Sequence, residues 1–211
     1  MNQYYYNQKK GISQMNEIII SGCVKSEPIY THEMCGEKFY RFMLESTRIS
    51  GTSDTVLCDT SVIFKDAFSE GSKVEIVGEV RTRNFEKEDG RRGCEVYVFV
   101  KEVNEYSGRD INEVYIDGYI CKEPIYRTTP SDREICDLLI ANNRERSRKS
   151  NYIPCIAWGR DARRMAGAGI GDKYECKGRL QSREYTKVID EDNKEIKVAY
   201  EVSIATIKEC E

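Results

Sequence analysis

Residues 16–30 read NEIIISGCVKSEPIY, and residues 112–126 read NEVYIDGYICKEPIY. At this constant offset of 96, eight of the fifteen positions are identical, including the glycine and the closing Glu-Pro-Ile-Tyr. The match runs on without gaps to Arg48 and Arg144, then resumes as VIFKDA (62–67) against IAWGRDA (156–162). It continues as GSKVEIVGEVRTRNF (71–85) against GDKYECKGRLQSREY (171–185), and closes as EVYVFVKE (95–102) against EVSIATIKE (201–209). The blocks keep their order in both halves, and so long a period lies outside the ~20–50 residues of solenoid repeats. The chain therefore reads as two duplicated domains. Residues 16–103 form the first, 104–111 (NEYSGRDI) a polar linker, and 112–211 the second. Residues 1–15, with tyrosines at 4, 5 and 6 and no periodicity, read as a flexible N-terminal arm.

Within each copy the pattern is β. The runs 17–30 and 113–126 are first strands interrupted by Gly22 and Gly118, which suits a bulge or a bend at a barrel corner. Second strands fall at 39–48 and 134–144, and third strands at 56–64 and 151–158. A short helical signal follows at 65–69 and at 160–166. Fourth strands at 73–85 and 173–185 and fifth strands at 93–103 and 196–207 complete each copy. Five strands with one helix between the third and fourth is the order of an OB-fold barrel, so the fold class is all-β, two tandem five-stranded OB barrels.

Composition narrows the function. The 211 residues carry 33 basic and 36 acidic side chains, a net charge of −3, with one histidine. The longest apolar runs, such as 96–100, fall far short of the ~20 residues a membrane span needs. The N-terminus lacks the apolar run of a signal peptide, which points to the cytoplasm. Nine cysteines, no two within four residues of each other, cannot present the close ligand pairs of structural zinc. They read as reduced thiols, and no metal or cofactor is expected. His32 sits in the turn-like segment 30–36 and reads as a solvated loop residue. The glycines at 167, 169 and 171 read as a helix stop and turn, since they lack the P-loop spacing. Nothing resembles an active site.

The binding signal lies on the fourth strand. Alternation puts Arg81, Arg83 and Phe85 on one outward face of the first copy, and Arg179, Arg183 and Tyr185 on that face of the second. Guanidiniums that track phosphates and rings that stack on bases make a sequence-tolerant single-strand site; a solvated strand face is the plain alternative. Arg144, Arg146, Arg148 and Lys149 form a basic loop in the second copy, where the first has Arg48 alone. Arg160 stands beside Trp158 at the start of the short helix. Tyr152 and Trp158 share a face of the third strand, with Phe64 set opposite Trp158 in the first copy. There are 15 basic and 18 acidic groups through residue 111 and 18 of each after it, so the second domain is expected to bind more strongly.

These segments resemble the OB domain of bacterial single-stranded DNA-binding proteins. The second copy is similar over almost its whole length, from Asn112–Tyr126 through IAWGRDA and GDKYECKGRLQSREY to EVSIATI, and the first is a degraded version. The resemblance implies base stacking at Tyr152, Trp158 and Tyr185 and phosphate contacts at arginines including Arg183. It further implies a role in DNA replication, recombination or repair. By analogy with a four-domain family assembly, two domains per chain imply a homodimer. The family's acidic, partner-recruiting tail has no counterpart after Ile207, so recruitment by that route is not expected. Two rivals remain open: an OB assembly module of primosome-accessory type with weak or no nucleic-acid affinity, and an RNA binder, since stacking does not select the sugar.

Overall fold

The computed structural model describes residues 15–86, 90, 92–144, 149–188 and 194–210. The arm therefore lies outside the described residues except for Met15, and Arg146 and Arg148 lie outside them as well. The first copy runs β1 (Asn16–Val24), β2 (Ile29–Met34), β3 (Glu37–Thr47), β4 (Ser53–Ser61), a 3-10 helix (Val62–Ala67), β5 (Lys73–Glu86) and β6 (Arg92–Glu105). The second runs β7 (Asn112–Ile120), β8 (Ile125–Thr128), β9 (Glu134–Asn143), β10 (Ser150–Trp158), α1 (Gly159–Met165), β11 (Lys173–Val188) and β12 (Lys194–Glu209).

Five strands of each copy close on themselves. In the first, β1 pairs antiparallel with β5 and β3, β3 with β4, β5 with β6, and β4 runs parallel to β6. The second repeats this with β7, β9, β10, β12 and β11. That is the OB connectivity expected from strand order. One expectation needs correcting: the run 17–30 is two strands. Pro28 lacks an N–H to continue the ladder, and β2 instead forms a hairpin with β3 outside the barrel. β8 does the same on β9. His32 accordingly lies on β2, exposed, its ring stacked on Phe39 at 5.0 Å and 12°.

The interior is aliphatic, with Ile18, Ile20, Phe42, Leu44, Ile76 and Phe68 buried in the first barrel and Ile116, Ile120, Ile140, Ile153, Met165 and Leu180 in the second. Phe42 and Phe68 stack with centroids 4.1 Å apart. Cys58, Cys136, Cys155 and Cys176 are buried, and all nine thiols are free. Burial pushes the Cys58, Cys155 and Cys176 thiols up, so these groups stay protonated and unreactive.

Gly22 and Gly118 mark the point where β1 and β7 leave one partner for another; the ladder irregularity itself sits at Val77/Gly78 and Lys177/Gly178. All four glycines are close approaches, since a Cβ on Gly22 would stand 1.9 Å from the Glu45 carbonyl oxygen.

The two barrels share one continuous sheet through an antiparallel β1–β7 pair. Its register pairs Asn16 with Ile116, Ile18 with Val114 and Ile20 with Asn112, so the two copies are related by a local twofold passing through Ile18 and Val114. The repeated asparagine works at this seam. Asn16 Nδ2 donates to the Val80 carbonyl at 2.8 Å while its Oδ1 accepts from the Val80 N–H at 3.0 Å. Asn112 makes the same two bonds to Leu180, at 2.7 and 3.0 Å. Residues 104–111 are tied down: β6 extends to Glu105, the Asp110 carboxylate accepts from the Thr47 N–H at 2.7 Å, and Ser21 exchanges bonds with Ile111.

A second pair of cross-barrel contacts obeys the same twofold. The Ser182 N–H donates to Asp54 Oδ1 at 3.1 Å and the Thr55 N–H to Ser182 Oγ at 3.0 Å. On the other side, the Thr82 N–H donates to Asn151 Oδ1 at 3.2 Å and the Tyr152 N–H to Thr82 Oγ1 at 2.9 Å. Asp54 is 0% exposed and takes a bidentate pair from Arg48 at 2.6 and 2.5 Å. Removing one partner of a buried pair strands the other. Asp54→Ala should therefore cost about 3 kcal/mol and lower the melting temperature by roughly 6–12 °C, measurable by calorimetry. A wild-type melting curve would mean that the clasp holds nothing.

Candidate nucleic-acid interface

Past Gly78 and Gly178, β5 and β11 present the alternation expected of them. Val80 and Leu180 enter the cores, Arg83, Phe85, Arg183 and Tyr185 reach solvent, and Arg81 and Arg179 are half-buried. The two faces differ in how their cations are balanced. In the first barrel, Arg81 pairs with Glu79 at 2.9 Å, and Lys101 pairs with the same carboxylate. Arg83 meets Glu95 at 2.5 Å, and Arg41 forks onto Asp59 at 2.6 and 3.0 Å and reaches Glu95 at 3.0 Å. The Arg81 guanidinium lies 3.5 Å over the Phe99 ring. In the second barrel, Arg183 approaches Glu201 at 3.4 Å, and Arg179 donates to Gln181 at 3.1 Å.

Two grooves result, related by the local twofold, and each is built from both barrels. One, of about 580 Å³, runs over Trp158, Arg179, Gln181, Arg183 and Arg133 of the second barrel and is closed by Arg48 and Thr52 of the first. The other, of about 450 Å³, runs over Phe39, Arg81, Arg83, Tyr97 and Phe99 of the first barrel and is closed by Arg144, Lys149 and Ser150 of the second. Trp158 is half-buried on its groove wall, its indole N–H donating to Ser203 Oγ at 3.0 Å. Tyr152, 42% exposed, stands at the seam where its backbone bonds Thr82. Tyr185 is 39% exposed, with the Arg183 guanidinium 5.9 Å from its centroid, and Phe85 covers Gly93 across the ladder with its outer face exposed.

The strand register corrects the alignment of the third strands. Cys58 and Cys155 hold equivalent places, each opposite the fifth strand of its barrel. Thr55 is therefore the counterpart of Tyr152, and Ser61 that of Trp158. Phe64 lies on the 3-10 helix and packs against the core. Arg160 is exposed on α1, outside both groove linings. Reading the sequence missed Arg41, Arg133, Tyr97 and Phe99. The signal for the last two was present in EVYVFV, where Tyr and Phe alternate with the buried Val96, Val98 and Val100.

Arg48 and Arg144 hold matching positions with different partners. Arg48 faces Asp54, whereas Arg144 donates to Asn151 Oδ1 and the Thr82 carbonyl, both at 2.8 Å. Among the described residues no carboxylate lies within ion-pair distance of Arg144 or Arg179, and Arg179 Nε is buried without a hydrogen-bond partner. Burial, then neighbouring Arg48, pulls the Arg179 guanidinium below its ordinary value, and burial lowers that of Arg144. Both remain charged at neutral pH. Half-buried cations with no carboxylate in ion-pair contact among the described residues are available to phosphate.

A closed five-stranded barrel of this connectivity is an OB-fold, here present twice, and each carries arginines and aromatic rings along one groove. Residues 111–208 match the model of the single-strand binding protein family. Single-stranded DNA-binding protein 1 of Staphylococcus aureus strain COL and single-stranded DNA-binding protein 2 of strain MSSA476 are each 33% identical over 81 residues, which is 36% of this chain and 48% of theirs. The chain thus spans about half the length of the curated relatives it matches. The crystal structure of the wild-type single-stranded DNA binding protein from Thermus aquaticus superposes with a TM-score of 0.74 at 18% identity, covering 95% of both chains. A deletion variant of that protein superposes at 0.71 and 19%, covering 94% of this chain and 95% of the other. The second barrel thus matches the single-strand binding protein family, and the chain as a whole has the fold of the Thermus aquaticus protein. This is a family of binding proteins, not of catalysts.

Proposed function

We propose that the protein binds single-stranded DNA with little sequence preference, using arginines for phosphates and aromatic rings for bases. The observation that carries this is the second barrel's groove, where Trp158 lies beside Arg179 and Arg183, with Tyr185 exposed next to Arg183 and Tyr152 exposed further along the strand that carries Trp158. Ring faces accept any base, and the Gln181 amide is engaged with Arg179 and Glu201. The overall charge of −3 is no obstacle, because the cations are gathered at the grooves. Replication, recombination and repair, which expose single strands, are the processes this reading assigns to it. Exposed apolar side chains on the edge strands, Ile29, Tyr30 and Met34 on β2 and Ile125 and Tyr126 on β8, support pairing of two chains to present four barrels.

Titration of labelled oligo-dT by anisotropy at several salt concentrations tests the reading. Affinity should fall with salt at a log–log slope of about −0.7 per phosphate contacted. Oligo-U should bind comparably or more weakly, and duplex DNA weakly. No binding to any of the three at low salt would sink the reading and leave an assembly module in its place.

A further inference from the structure

Substitution between the two copies has moved charge across the seam. At the clasp, the acid Asp54 that neutralises Arg48 is replaced on the other side by Asn151. On the fourth strands, Arg179 of the second barrel occupies the place of Glu79 in the first, as the registers Arg179–Ser203 and Glu79–Phe99 show. In the second barrel's groove the cross-barrel cation Arg48 is therefore spent and the resident Arg179 is not. In the first barrel's groove the reverse holds. Arg81, Arg83 and Arg41 are each paired with Glu79, Glu95 or Asp59, while Arg144, which enters from the second barrel with Lys149, has no carboxylate within ion-pair distance among the described residues. Arg144 stands there beside Tyr97 and Arg81, in a groove lined by the edges of the mostly buried Phe39 and Tyr97 and by Phe99, whose ring Arg81 covers.

We propose that Arg144 acts in trans: it is the phosphate-contacting cation of the first barrel's groove, so this barrel binds single-stranded DNA through a residue it does not own. The inference rests on the single-stranded DNA reading above. It reassigns the start of the 144–149 basic segment from the barrel that encodes it to the neighbouring groove. The first copy can therefore be rich in acid without being inert. The strand on its aromatic face is anchored by the second copy, and the two barrels bind as one unit only while the clasp holds Arg144 in place.

Photocrosslinking with 5-bromodeoxyuridine oligomers tests this on the intact protein. Trypsin and fragment sequencing of the adducts separate the two faces: the peptide 93–101 carries Tyr97 and Phe99, and the peptide 150–160 is scored for its adduct on Trp158, which lines the other groove. Wild type should yield adducts on both. Arg144→Gln should reduce the 93–101 adduct by about tenfold, the worth of one charge-assisted contact, and leave the 150–160 adduct in place. Arg144→Lys keeps the charge and loses the fork onto Asn151 and Thr82, so it should restore the 93–101 adduct even where melting temperature stays low. A wild-type adduct on 150–160 alone overturns the trans role and leaves single-stranded DNA binding standing. So does a 93–101 adduct indifferent to Arg144→Gln, or one that tracks melting temperature and is not restored by lysine. Absence of both adducts, with no oligo-dT binding, refutes the underlying reading.

Discussion

The double substitution Tyr152→Ala, Tyr185→Ala should weaken oligo-dT binding by about 2–6 kcal/mol, taking roughly 1–3 kcal/mol per base stacked on an aromatic ring. At about 1.4 kcal/mol per decade, that is a loss between roughly thirtyfold and ten-thousandfold. Both rings project from strand faces with 42% and 39% of their surface free, so truncation opens no core cavity and circular dichroism should be unchanged. Neither hydroxyl makes a bond on which the barrel depends, which makes this pair a cleaner probe than Trp158, whose indole N–H is held by Ser203. Tyr152 sits at the seam with the first barrel, and Tyr185 lies two residues beyond Arg183 on β11. Anisotropy at one fixed salt concentration checks the result. Unchanged affinity in the double variant would remove both tyrosines from the proposed site and leave Trp158 and the arginines as its content.

Gly22→Ala should unfold the first barrel, with an expected cost of about 4 kcal/mol or more, at the upper end of single-residue effects. The added Cβ would stand 1.9 Å from the Glu45 carbonyl oxygen and 2.8 Å from its carbon. Neither atom can swing aside as a flexible side chain does, because both belong to the β3 backbone. That backbone is paired with β1 through Cys23–Glu45 and Val24–Leu44, a short ladder that closes the barrel. Pushing β3 away to make room therefore opens the barrel. Gly167→Ala is the control: its nearest neighbour would be the Arg164 carbonyl oxygen at 3.8 Å, and its cost should stay below about 1 kcal/mol. Urea denaturation of the two variants decides the matter. Equal midpoints would show that β3 yields where the packing says it cannot.

The first strand shows where sequence reading reached and where it stopped. Gly22 and Gly118 were legible as bends because a glycine inside an apolar run stands out locally. The break at Pro28 was not read as a strand boundary. β2 and β8 are exposed on both faces, so they carry no alternation of polar and apolar residues to announce them. On β4 and β10 the family-like segments VIFKDA and IAWGRDA suggested an alignment that the hydrogen-bonded registers shift, since a 3-10 helix in one copy replaces strand and α-helix in the other. Tyr97 and Phe99 were hidden for a different reason. In EVYVFVK the valines alternate with Tyr97 and Phe99, but every residue between the charged ends is apolar or aromatic, so the alternation does not mark which set faces outward until the barrel closes.

The grooves illustrate the same division for function. Arg81, Arg83, Arg179 and Arg183 could be placed on one face by period-2 alternation alone, because that geometry belongs to a single strand. Which of them carries an unbalanced charge could not be read in this way. Glu79, Asp59 and Glu95 neutralise their partners across ladders or along one strand face, and Asp54 and Asn151 do their work across the seam between two domains.

The amino-acid order by itself determined the duplication, the closed barrel in each copy and the character of its outward face. Each of these follows from local periodicity, strand order and the residues at bends, which a chain carries wherever it is placed. The tertiary structure alone decided that the barrels join through β1 and β7, that residues 104–111 are held to the first barrel, and that each groove borrows its closing arginine from the other copy. Those features arise from contacts between residues some 60 to 130 positions apart and from the orientation of one barrel against another. The backbone pairing of Ile18 with Val114 sets that orientation, and no periodicity within either copy encodes it.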